Sequence, residues 1–120
     1  MNKFFKSFTY AANGLKVSLW QRNMKVMVFC AIVAVAVGFT LHICLLDWCI
    51  ILLCIGVALA FEVMNTAIEL LVDLVEPELH PMAGRIKDLS AGAVLLFSVI
   101  SAIIGILIFG KYILALLSLH

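Results

Sequence analysis

LSAGAVLLFSVISAIIGILIFG, residues 89–110, runs for 22 positions without one charged side chain. A helix needs about 20 apolar residues to cross the hydrocarbon of a bilayer, so this stretch can span a membrane unaided. Working outward from it, the same condition recurs twice. Between Lys25 and Asp47 no acidic or basic side chain occurs except His42, and from Trp48 to Phe61 the chain is again uncharged. The second of these must take in polar residues to reach spanning length. Lipid offers backbone N–H and C=O groups no partner, so each span must be helical. The two-residue alternation of a membrane barrel is absent.

Composition agrees with this reading. Hydrophobic types make up 66% of the 120 residues and charged types 12%, against roughly half and about a quarter in a soluble domain. A soluble chain this short has too much surface for its volume to bury so much apolar area. Soluble globular, disordered and coiled-coil classes are therefore excluded. No repeat, low-complexity tract or linker occurs, and no cleavable signal is expected. The expected fold is an all-α membrane protein, one domain over residues 1–120. An amphipathic surface helix at about 3–20 precedes spans at about 24–42, 47–74 and 88–110, with a loop at about 75–87.

The surface helix follows from spacing. Phe4, Phe8, Ala11, Ala12, Leu15 and Leu19 recur every three or four residues, and Lys6, Asn13 and Lys16 take the other face. An aromatic apolar face opposite a basic one suits a helix lying in the membrane interface.

Charge sets the orientation. With three spans, the N-terminal segment and the second loop share one side. That side holds Lys3, Lys6, Lys16, Arg22, Lys25, Arg85 and Lys87, and the other side holds Lys111 alone. The positive-inside rule puts the seven in the cytoplasm and the C-terminus outside. The expected location is the bacterial inner membrane, and no nucleic-acid partner is expected. Trp48 and Tyr112 suit the outer interface and Trp20 the inner one. Cys30 and Cys54 fall within apolar spans as small fillers. Cys44 and Cys49 flank the outer hairpin as free thiols, with a disulfide between them as the alternative, and no cysteine pair has metal-site spacing.

The chemistry concentrates in the second span. Glu62, Asn65, Glu69 and Asp73 are spaced by three, four and four residues. At about 100° per residue they form one stripe, with Thr66 beside it. A carboxylate within the hydrocarbon costs about 3 kcal/mol or more unless paired, hydrated or neutralised. A helix that merely leaves the membrane explains Asp73 and part of Glu69. It does not explain Glu62, about 16 Å further along the axis. Carboxylates at the membrane–water boundary suit hard divalent cations, and a desolvated one suits a general base. The loop Glu76-Pro-Glu-Leu-His-Pro-Met-Ala-Gly-Arg-Ile-Lys-Asp88 carries two prolines and a glycine as helix breakers. Lys87 and Asp88 then open the third span. A lysine beside acidic residues and a helix N-terminus suits a polyphosphate. Lys87 as a plain membrane anchor and Asp88 as a helix-end charge are equally open on spacing alone.

Glu62-x-x-Asn65-Thr66-Ala67-Ile68-Glu69-x-x-x-Asp73, Pro77-Glu78-x-His80-Pro81 and Lys87-Asp88-x-x-Ala91-Gly92-Ala93-Val94 resemble the prokaryotic diacylglycerol kinase family. These are small integral-membrane lipid kinases unrelated to soluble kinases. The resemblance covers nearly the whole chain, and its wording is most similar to the undecaprenol kinase branch. It implies a homotrimer with composite sites that uses MgATP to phosphorylate a lipid alcohol, either diacylglycerol or undecaprenol. By position, Glu62 matches the catalytic carboxylate, Glu69 a metal ligand and Asn65 an active-site polar residue. Lys87, Asp88, Glu78 and His80 match ATP-binding positions. Lys3 and Tyr10 match residues of the surface helix near the nucleotide, and Asp73 lies at the nucleotide end of the stripe. The family usually has a second metal-binding glutamate where the surface helix meets the first span. Here Gln21 stands in its place, across a one-residue gap, and also counts among the ATP-site positions.

No G-x-x-x-x-G-K-[ST] loop or G-x-G-x-x-G turn occurs, so phosphate must be held by helix ends and metal. The rival reading is a small oligomeric transporter with Glu62 as its proton- or cation-coupling site. A purely structural subunit is a third. Neither has use for the Lys87–Asp88 pair and the Glu-x-His loop. In the third span, Ser98, Ala102 and Gly105, with Ser101, give the small-residue spacing of close helix packing, as an oligomer would use.

Overall fold

The structure is a computed structural model and describes residues 2–119. Four helices follow in order: α1 (Asn2–Leu19), α2 (Arg22–Leu41), α3 (Leu45–Val75) and α4 (Pro81–Ser118). The last three are each long and apolar enough to cross a membrane. At about 1.5 Å per residue, α2 is about 30 Å long, α3 about 46 Å and α4 about 57 Å. A hydrocarbon layer is about 30 Å thick. So α3 and α4 must project beyond it, while α2 only just crosses.

The chain turns between α2 and α3 on His42, which adopts the left-handed conformation at φ 52°. Its N–H bonds to carbonyls of Gly38 and Phe39, closing the helix end. Gly38 is required there by close approach. A Cβ on it would lie 2.7 Å from Cη2 of Trp48 and 3.2 Å from Cδ1 of Ile43. The indole instead lies against the bare backbone and meets the Phe39 ring at 4.8 Å.

The second turn is tighter than its sequence suggests. Pro77 disfavours helix at the preceding residue, and α3 stops at Val75. Pro81 has its φ preset for a first helical turn, and α4 begins on it. Gly84 does not break the chain but sits inside α4 with open space around it. The connection is therefore residues 76–80. Lys87 and Asp88 lie in the second turn of a helix already under way, not at its N-terminus.

A buried apolar cluster forms at the end of the bundle where α2 turns into α3. Ile43, Ile51 and Ile108 form a buried cluster, with Trp48, Phe109 and Tyr112 against it. Below them Asp47, only 5% exposed, collects polar contacts on one carboxylate oxygen. Tyr112 donates its hydroxyl at 2.7 Å, Lys111 its ammonium at 2.9 Å and Cys44 its thiol at 3.3 Å. The Cys44 N–H in turn donates to the Tyr112 hydroxyl at 2.8 Å. Lipid is as apolar as leucine, so helices in it gain little from apolar burial alone. A hydrogen-bonded clamp joining the start of α3 to the end of α4 supplies what apolar burial cannot. All four cysteines are free thiols.

At the other end α1 packs against α2 and α3, with Ser18 buried. Phe4 and Phe8 meet edge to face at 5.0 Å and are left exposed, as an interface helix requires. The ammonium of Lys25 sits 5.3 Å from the Trp20 ring centroid.

Candidate active site

Burial along α3 is graded. Glu62, Asn65 and Thr66 are buried, Glu69 is half-buried and Asp73 is exposed. Glu62, at 3% exposure, is more enclosed than any leucine of the chain. It lies 17 residues past Leu45, so about 26 Å from the start of α3 by helix rise. A hydrocarbon layer is about 30 Å thick, so a layer beginning at Leu45 would end close to Glu62. Thr66 donates its hydroxyl to the Glu62 carbonyl at 3.1 Å and locks this turn. Beside Glu62 in the chain, the ring of Phe61 meets that of Phe97 edge to face at 5.6 Å, joining α3 to α4.

Glu62 and Asn65 open into a cavity of about 260 Å³ between α2, α3 and α4. Its other polar residues are Asn23 of α2 and Ser98 of α4, and its apolar wall includes Val26, Met27, Val94 and Leu95. Asn65 faces two ways. Its Nδ2 donates to Glu69 Oε1 at 3.2 Å. A carboxylate only accepts, so the amide oxygen must turn the other way. That oxygen, Oδ1, is buried with no partner among the described residues. A buried acceptor left unmade costs about 1–3 kcal/mol. The atom that relieves it must be a hydrogen-bond donor or a cation.

The residues expected to meet the nucleotide lie outside this cavity. Lys3, Tyr10, Gln21, Asp73, Glu78, His80 and Asp88 are exposed, and Lys87 is half-buried. Two of them are brought together, for Lys87 of α4 donates to the Asp73 carboxylate of α3. The Asp73 side chain of that pair is 59% exposed, and an exposed pair is worth about 0–1 kcal/mol. A phosphate can therefore displace Asp73 at little cost. His80 caps α4, its Nδ1 accepting the Met82 N–H at 3.1 Å. A ring nitrogen that accepts leaves the proton on the other, so Nε2 is a free donor. Gln21 is the N-cap of α2, yet its side chain makes no capping bond, so its amide oxygen is available.

Among the described residues no three His, Cys, Asp or Glu side chains converge as a metal site. Sequence reasoning missed Asn23 and Ser98 as cavity residues. Asn23 was legible as a polar residue in the first turn of a span, and Ser98 was read only as a small packing residue.

Comparison with known proteins matches this architecture. The family profile of prokaryotic diacylglycerol kinases covers residues 9–109. An undecaprenol kinase of Bacillus subtilis is 43% identical over 110 residues, covering 91% of this chain and 89% of that one. A diacylglycerol kinase of Helicobacter pylori is 30% identical over 115 residues, 95% of this chain and 87% of that one. A diacylglycerol kinase of Synechocystis is 33% identical over 101 residues, 82% of this chain and 58% of that one. The chain belongs to the prokaryotic diacylglycerol kinase family, and with it to the ATP-dependent lipid kinases of the membrane.

Proposed function

We propose that this chain transfers the γ-phosphoryl group of MgATP to the hydroxyl of a lipid alcohol, diacylglycerol or undecaprenol, with Glu62 as general base. One observation carries the residue assignment. Glu62 is buried about 26 Å along α3 from Leu45 by helix rise, and it lines a cavity together with Asn65. A lipid's hydroxyl lies at that depth, and a base must lie within reach of the proton it removes.

ATP comes from the cytoplasmic side in this reading. Lys87 exchanges Asp73 for phosphate oxygens, and the His80 Nε2–H provides a second donor. Asp88 and Glu78 stand beside them, with Lys3 and Tyr10 contributed from α1. Mg²⁺ prefers oxygen ligands, and in this reading the Glu69 carboxylate holds it together with the Gln21 amide oxygen, which makes no capping bond. When bound, Mg²⁺ would neutralise phosphate charge. The lipid hydroxyl oxygen bonds to the γ-phosphorus as the bond from that phosphorus to the ADP oxygen breaks. The hydroxyl proton passes to Glu62. Positioning and electrostatics do the rest, as in phosphoryl transfer generally.

The same reading includes a homotrimer in the bacterial inner membrane, with the N-terminus and the second loop cytoplasmic. Seven basic residues against one support the orientation. The apolar exteriors of α2, α3 and α4 supply surface for lipid and for further copies. A coupled transporter has no use for a lysine and a histidine donor set at the cytoplasmic ends of its helices.

The test is phosphorylation of each lipid in mixed micelles with radiolabelled ATP. Glu62→Gln should keep the assembly and ATP binding but lower kcat by at least about 100-fold, the scale of a lost general base. Weakened ATP binding with kcat intact would move Glu62 into the metal site and refute its role as base.

A further inference from the structure

The polar residues lining the cavity at Glu62 differ in what they can offer a substrate. Glu62 and Asn65 are buried, Ser98 of α4 is half-buried and Asn23 of α2 is exposed. An ionised carboxylate only accepts hydrogen bonds. Asn65 already gives an amide hydrogen to Glu69, and Thr66 gives its hydroxyl to the Glu62 carbonyl, so both bonds stay within α3. Asn23 takes part in neither. Its carboxamide brings two N–H donors and no charge to the cavity.

Its place in the chain adds a direction. Asn23 is the second residue of α2 and lies two positions past the N-cap Gln21, about 3 Å along the axis. Arg22 and Lys25 beside it are exposed. In the kinase reading Gln21 meets the metal and Glu62 meets the lipid hydroxyl. Asn23 stands between the two. The phosphoryl group in transfer carries negative charge toward a cavity whose one ionisable lining residue is an acid. A neutral donor offsets that repulsion and leaves the Glu62 carboxylate free to take a proton.

We propose that Asn23 is a further catalytic residue, whose side-chain amide donates a hydrogen bond to the γ-phosphoryl group as it passes from ATP to the lipid. The proposal rests on the kinase reading above and adds a residue that touches the reacting group. The lipid oxygen bonds to phosphorus as the bond from phosphorus to the ADP oxygen breaks, and the hydroxyl proton goes to Glu62. Asn23 neither gains nor loses a proton. A fixed donor aimed at the group in transfer stabilises the transition state more than bound ATP.

Two variants test it, Asn23→Ala and Asn23→Asp, in the full-length chain. Each is assayed in mixed micelles with radiolabelled ATP and a diacylglycerol or a short polyprenol. Equilibrium binding of a non-hydrolysable ATP analogue and helix content are measured alongside. Alanine removes shape and donor together, while aspartate keeps the shape and puts a negative charge where the donor was. Asn23→Ala should lower kcat by about 100-fold, the scale of one lost transition-state donor. Analogue binding in Asn23→Ala and helix content in both variants should hold. Asn23→Asp should be about tenfold worse again, because like charge then faces the phosphoryl group.

The order of the two variants is the decisive readout. A side chain that only packs would be damaged by alanine and spared by its isostere. Asn23→Asp as active as Asn23→Ala, or more so, overturns the proposal. So does weakened analogue binding in Asn23→Ala with kcat intact, or a fall in kcat that follows lost helix content. Each of these leaves the kinase reading in place. If the unaltered chain phosphorylates neither lipid, both fail.

Discussion

Asn65 holds Glu69 by one amide hydrogen, at 3.2 Å, and that bond decides where its oxygen points. The residue couples the half-buried, water-side carboxylate to the buried cavity of Glu62. Asn65→Ala should break both links. The expected result is a fall of about 10- to 100-fold in kcat/KM, the loss of one or two hydrogen bonds at a site where position matters. Asn65→Asp should be at least as damaging, since it replaces the donor facing Glu69 with a second carboxylate. Steady-state kinetics on both variants, with helix content monitored, checks this. Activity near that of the unaltered chain in Asn65→Ala would remove the residue from the site.

Gln21 offers a neutral oxygen where the family usually has a carboxylate. Hard cations respond to ligand charge. The half-saturating Mg²⁺ for activity should therefore fall in Gln21→Glu. The gain should vanish when Glu69 is also changed to Gln, because the two are proposed to share one ion. An unaltered Mg²⁺ dependence in the single variant would place Gln21 outside the metal site.

Orientation is testable with the native thiols. Cys44 and Cys49 are free and exposed at the hairpin between α2 and α3, expected to lie outside. A membrane-impermeant maleimide applied to intact cells should label them. A cysteine introduced at Leu79, in the second loop, should stay unlabelled until the membrane is opened. The reverse pattern would put the loop outside and defeat an ATP site fed from the cytoplasm.

The clamp between the start of α3 and the end of α4 should carry stability rather than catalysis. Tyr112→Phe removes the donor to Asp47 and the acceptor for the Cys44 N–H. A loss of about 1–3 kcal/mol in stability is expected, read as easier unfolding in denaturing detergent. The KM for ATP should hold, since the clamp and the nucleotide side sit at opposite ends of α3. A raised KM with stability intact would argue that the two ends are coupled.

Much of this protein is a one-dimensional property of its chain. Uncharged runs long enough to cross a membrane leave helix as the only solution, so residues 89–110 settle the class without any tertiary contact. The spacing of Glu62, Asn65, Glu69 and Asp73 likewise places them on one face, because helical periodicity is local. The motif words around Glu62 and Lys87 were enough to suggest the family. Tertiary structure decided what depends on neighbours distant in sequence. It showed that the stripe is graded, buried at Glu62, where α2 and α4 both line its cavity, and exposed at Asp73. It continued α4 back to Pro81 through Gly84, since proline presets the first turn and one glycine costs a helix only about 1 kcal/mol. It paired Lys87 with Asp73, gathered Lys111 and Tyr112 on Asp47, and brought Asn23 and Ser98 to the cavity. None of these has a periodic signature, because each joins helices whose relative rotation is set by packing and not by the sequence of either one.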